Sequence, residues 1–241
     1  MIWSLPLMLL SIFTSLATAN VEKAIFVAPE AEAFPSDASL DNLLLERVTL
    51  AKPSLRTHIN ATFPTKDDTK GTQTWMLLED LTPAQRYEVR ICWLATQPTS
   101  FWIYTHSMQA TFEDPELITS LTTYSNKRHS SASSAELQEA RSRTISRHRS
   151  STPSTFLFLQ IFAAADYFSL NKTLMENVPP VHVDVILDPY LLNIFPQSLL
   201  PTAGYIIIIA VVGWFLSTWI YSSFVLPFAQ TERKQDSKKA E

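Results

Sequence analysis

Residues 80–93 read DLTPAQRYEVRICW, and their reading decides the fold. Leu81 precedes a proline-containing turn, and Tyr87 opens an alternating run. Tyr87, Val89 and Ile91 point to one side, and Glu88, Arg90 and Cys92 to the other. That period of two is the signature of a β-strand with one buried face. Similar runs lie on both sides. EKAIFVAP (22–29), LERVTL (45–50) and LRTHINATF (55–63) precede the turn, and SFWIYTHSMQATF (100–112) reads as the strand that follows. STFLFLQIFAAADYFSL (154–170) and VHVDVILDP (181–189) supply later strands. Helical periodicity is confined to a C-terminal apolar segment and a short piece at SLDNLLLERV (39–48).

The turn followed by a strand that opens on tyrosine resembles the tyrosine corner of fibronectin type III and related sandwiches. There a phenol hydroxyl ties the strand to the loop before it. The resemblance implies a mainly β, immunoglobulin- or fibronectin-like sandwich, with Tyr87 buried and bonded to backbone near Leu81.

Two hydrophobic segments set the topology. Residues 1–19 end in Ala17-Thr18-Ala19 and read as a secretory signal peptide. Residues 203–226 contain no charge and would reach about 36 Å as a helix, enough to cross a bilayer. Beyond them, residues 227–241 carry Arg233, Lys234, Lys238 and Lys239, and positive flanks stay cytoplasmic. Residues 20–200 are then a lumenal β-domain, in a single-pass type I protein of the endoplasmic reticulum membrane. Lys238 and Lys239 sit third and fourth from the last residue, where a dilysine retrieval signal would be read by a coat protein. Within the β-domain, residues 124–154 turn rich in Ser and Arg and poor in large apolar side chains. Such a stretch buries too little surface to offset its ordering entropy, so it is expected to be a disordered insert. At most a transient helix forms at SAELQEARSR (134–143).

The 241 residues carry a net charge of −4, which gives no case for nucleic acid as a partner. Three glycines leave no GxGxxG and no GxxxxGK[ST] phosphate loop. The single cysteine, Cys92, forms no internal disulfide, and its place in a strand favours a buried thiol. The histidines are scattered, and neither HExxH nor GxSxG occurs. No catalytic residue, metal ligand or cofactor site is therefore assigned, and no enzyme activity is expected. Asn60-Ala-Thr and Asn171-Lys-Thr are glycosylation sequons within the expected lumenal part.

The juxtamembrane stretch LDPYLLNIFPQSLLPTAGYIIII (187–209) is too apolar for a free linker, and Pro189, Pro196 and Pro201 rule out one continuous helix. The whole plan is a signal peptide, LTPAQRYEVRICWLATQPTSF (81–101), DPYLLNIFPQSLLPTAGY (188–205), one span and a lysine tail. It resembles the fungal co-activator subunit of GPI mannosyltransferase II. The resemblance implies an accessory, non-catalytic endoplasmic reticulum protein. Its partner would be the multi-span glycosyltransferase subunit that adds the second mannose to the GPI-anchor precursor. An adaptor or chaperone-like subunit of another endoplasmic reticulum membrane complex is the other class these residues allow. For docking, Ala210, Gly213 and Ser217 fall at i, i+3 and i+7, one helix face on which small residues let another helix approach. Tyr190 and Phe195 would add to that contact.

Overall fold

A computed structural model describes residues 20–31, 40–140, 142 and 155–225. The chain divides into two units, Met1–Ile194 and Phe195–Glu241. Residues 1–19 and 227–241, with the signal peptide, Lys238 and Lys239, lie outside the described residues.

The first unit is a two-sheet sandwich. Its strands are β1 (Val21–Val27), β2 (Glu46–Thr49), β3 (Ser54–Ile59), β4 (Thr72–Glu79), β5 (Arg86–Trp93), β6 (Thr99–His106), β7 (Phe156–Ala165) and β8 (Val181–Leu191). One sheet runs β1-β5-β8-β3, and the other β2-β4-β7-β6. Among these strands β2 with β4 is parallel and the other pairings are antiparallel. The expected sandwich is present. Its strand order is its own, because β1 pairs with β5, whereas in immunoglobulin domains the first two strands are neighbours.

Phe26, Val89, Ile91, Val183 and Leu187 from one sheet pack with Val48, Met76, Leu78, Leu159 and Ile161 from the other in one buried cluster. The second sheet is also covered on its far face. There Trp75, Leu77, Phe156 and Phe158 meet Leu40, Leu45 and Leu121. Burial on both faces explains why WMLL and FLFLQIF read as continuous apolar runs rather than alternating ones.

The far cover was missed in the sequence. The strand expected over 100–112 stops at His106, and two helices follow, α1 (Met108–Glu113) and α2 (Pro115–Ser131). Ser107 caps the first, its hydroxyl accepting from Ala110 N at 3.1 Å. Asp114 caps the second, its carboxylate accepting from Glu116 N at 2.8 Å, and Pro115 stands at the helix start. The expectation of disorder from residue 124 fails for its first part. Helix α2 continues to Ser131, Tyr124 packs on the far cluster, and His129 bonds the carbonyl of Asn42 at 2.7 Å. Residues 134–140 are helical as well, opened by a reciprocal cap between Ser133 and Glu136. Residues 143–154 lie outside the described residues.

A buried ion triad ties the 3₁₀ turn Leu40–Leu43 to the second sheet. Arg47 donates to Glu79 at 2.8 Å and to Asp41, and both acids are almost fully buried. Gly71 enters β4 with φ +70°, and a Cβ there would stand 2.3 Å from the carbonyl oxygen of Ala163.

The second unit is dominated by α4 (Leu200–Ile220), which ends in a π-helical turn over Tyr221–Val225. Residues Gln197–Phe224 form a helix long and apolar enough to cross a membrane, with none of its apolar window buried.

Candidate functional site

The turn that decided the fold is a junction of three chain segments. Tyr87 is fully buried, stacked on Phe26, with its hydroxyl accepting from Thr82 N at 2.9 Å and donating to Gln85 Oε1 at 2.9 Å. Gln85 Nε2 in turn donates to the carbonyl of Tyr190 at 3.1 Å. Asn193 closes the junction from the other side. Its Oδ1 accepts from Arg86 N at 2.7 Å, and its Nδ2 donates to the carbonyl of Ala84 at 3.0 Å. The end of β1 joins through Ala28, which donates to the carbonyl of Gln85 and accepts from Ala84 N. The 81–85 loop thus holds the end of β1 and the end of β8, the strand from which the chain leaves the sandwich.

Tyr190, expected as a contact for a partner, is buried in this junction. Its hydroxyl donates to Glu88 at 3.4 Å, and the Arg86 guanidinium lies 6.0 Å from its ring centre. The apolar side chains offered to solvent here are instead Leu191, Leu192 and Ile194. Phe195 is half-buried. In α4, Ala210, Gly213 and Ser217 stand on an unbroken helix within one face, and a Cβ at Gly213 would meet nothing within 4 Å.

Both sequons lie at the opposite end of the sandwich. Asn60 directly follows β3, whose last residue pairs with the first of β8, and is exposed. Asn171 is exposed between β7 and β8, where its side chain caps the short α3 (Lys172–Glu176) by accepting from Thr173 N at 3.0 Å. Since β8 spans about 33 Å, the sequons are well removed from the exit turn.

The outer face of the first sheet gathers charges that the sequence scatters. Arg56 makes a bidentate pair with Asp184 at 2.7 and 2.9 Å, which holds that carboxyl below its usual range. Lys23 reaches the buried Glu88 at 3.2 Å, and Arg90 lies between Glu88 and Asp188. His58 and His182, 124 residues apart, oppose each other across β3 and β8 with Nε2 atoms 3.2 Å apart. A depression beside them is lined by Arg56, Cys92, Trp93, Leu94 and His182. Cys92 is half-exposed rather than buried as expected, and desolvation pushes its thiol up. Among the described residues, no group of three or more His, Cys, Asp or Glu is placed to hold a metal ion. The acids of this face engage arginine and lysine, which gives structural pairing rather than an acid/base dyad. The histidine pair, like the Arg56–Asp184 pair beside it, is signalled by no spacing in the sequence, because strand register alone creates it.

A family model described as GPI-mannosyltransferase II co-activator matches residues 10–215. No curated protein matches, and neither does any solved structure.

Proposed function

Because the chain belongs to the Pga1 family of GPI-mannosyltransferase II co-activators, we propose that it is the non-catalytic subunit that holds the multi-span catalytic subunit in working form. The carrying observation is the extent of the family match, which takes in the whole sandwich and most of α4. The family description makes the mannosyltransferase II catalytic subunit the partner, and one apolar helix fits a protein of the endoplasmic reticulum membrane. The alternative class, an adaptor in another membrane complex, is not favoured.

In the same proposal the orientation is type I. The two sequons sit on the N-terminal side of the span and the lysine-rich tail on the other. Positive flanks stay cytoplasmic, and sequons are modified only in the lumen. Asn60 and Asn171 would then carry glycans at the end of the sandwich remote from the exit turn. Retrieval by a coat protein through Lys238 and Lys239 belongs to this reading too. The engagement of the buried acids in ion pairs supports a structural rather than a catalytic role.

Purification from detergent-solubilised membranes tests the proposal. A multi-span mannosyltransferase should be recovered in amounts comparable to this chain. Recovery of an insertase or trafficking complex in its place would sink the reading. Glycosidase treatment of the same material reports on the orientation. A mobility shift that is lost in an Asn60→Gln, Asn171→Gln double variant places the sandwich in the lumen.

A further inference from the structure

The exit turn holds its most apolar side chains in water by force of backbone geometry. Leu192 and Asn193 are consecutive non-glycine residues with left-handed φ values of 52° and 58°. Two left-handed residues in succession are what a type I′ turn requires; asparagine suits its second position, whereas leucine occupies the first at a cost. Asn193 supplies the constraint through its bonds to Arg86 N and the Ala84 carbonyl, and Ala84 is itself left-handed at φ 59°. Ile194 N closes the turn on the carbonyl of Leu191 at 3.1 Å. As a result Leu192 is 91% exposed and Ile194 78% exposed. A turn that only reversed the chain would carry polar residues here. Nearby on the edge strand, Val27, paired in register with Arg86, is also exposed. The chain then has six residues from Ile194 to the start of α4 at Leu200, a reach of at most about 20 Å.

We infer that the Leu191–Ile194 turn is a preformed lipid contact. Leu192 and Ile194 enter the boundary between headgroups and acyl chains of the leaflet from which α4 starts. Lipid is the occupant because the tether keeps the turn within a short reach of a bilayer crossed by α4. Exposed leucine and isoleucine gain by leaving water for that boundary. The exposed Arg86 guanidinium, 6.0 Å from the Tyr190 ring centre, offers a cation to lipid phosphate at the rim. The inference goes beyond the accessory-subunit reading and does not depend on which side of the membrane the sandwich occupies.

The test uses the unaltered full chain in phosphatidylcholine nanodiscs that contain a photoactivatable phosphatidylcholine, its diazirine close to the glycerol. Crosslinked peptides are then located by mass spectrometry. Phe168 and Leu170 are the internal control, since they are 82% and 92% exposed, equally apolar, and sit in the β7–β8 loop at the sequon end. Residues 191–194 should be labelled several-fold more than residues 167–171. Equal labelling of the two segments overturns the inference. So does labelling of 191–194 that vanishes when the co-purifying catalytic subunit is reconstituted with the chain, because the turn then belongs to a protein contact.

Discussion

Tyr87 carries more of the architecture than its size suggests, because its hydroxyl bonds both Thr82 N and Gln85 Oε1 in the corner. Tyr87→Phe keeps the stacked ring and removes two hydrogen bonds from a fully buried site. It should cost about 1–2 kcal/mol in urea unfolding of the full chain. An unchanged midpoint would mean the corner is held by packing alone. Gly71 is the second sensitive position. Gly71→Ala adds a left-handed alanine and a Cβ inside the contact radius of the Ala163 carbonyl, so a loss of about 2 kcal/mol or more is expected. Arg47→Ala takes the buried cation away from both Asp41 and Glu79 and should cost about 3 kcal/mol or more by the same measurement. Tyr87 was legible because a proline turn and an alternating strand frame it locally. Arg47 was not, because its partners come from a 3₁₀ turn and from the neighbouring strand β4, and only the fold brings them together. The His58–His182 pair escaped notice for the same reason.

Elements divide along the same line. The strands with one wet face, β5 and β8, announce themselves by alternation, and β4 and β7 by apolar runs bounded by turns. Helix α1 falls within the run expected as a strand and the end of α2 within the expected disordered insert; α2 is crowded with threonine and serine, residues common in strands and turns. Several of these hydroxyls bond back to carbonyls four residues earlier, among them Thr119 to Pro115, Thr122 to Ile118 and Thr123 to Thr119. The signal that could have found α2 was Asp114-Pro115-Glu116 with Leu117, Leu121 and Tyr124 on one stripe. Asp114→Ala should therefore lower stability by about 1 kcal/mol, read by thermal unfolding. The span was legible from length alone. We propose that its Ala210, Gly213 and Ser217 face packs on the catalytic subunit. Gly213→Leu with Ser217→Leu should then reduce co-purification several-fold while the sandwich unfolds at the same temperature. Undiminished recovery would leave α4 as an anchor only.

At the scale of the whole molecule, the sandwich places its sequons at one end and its chain exit at the other. The tyrosine corner locks that exit. Among the described residues the sandwich takes up its buried acids Asp41, Glu79, Glu88 and Asp188 in ion pairs, and the second unit supplies one helix long and apolar enough to cross a membrane. The co-activator family the chain belongs to supports the proposal that its effect is exerted through the partner enzyme. The central claim is tested most directly by mannose transfer to the singly mannosylated GPI precursor in membranes depleted of this chain. The account predicts that transfer falls and that the singly mannosylated precursor accumulates. Supplying the intact chain should restore transfer. Undiminished transfer in depleted membranes, with no accumulation of that precursor, would contradict it.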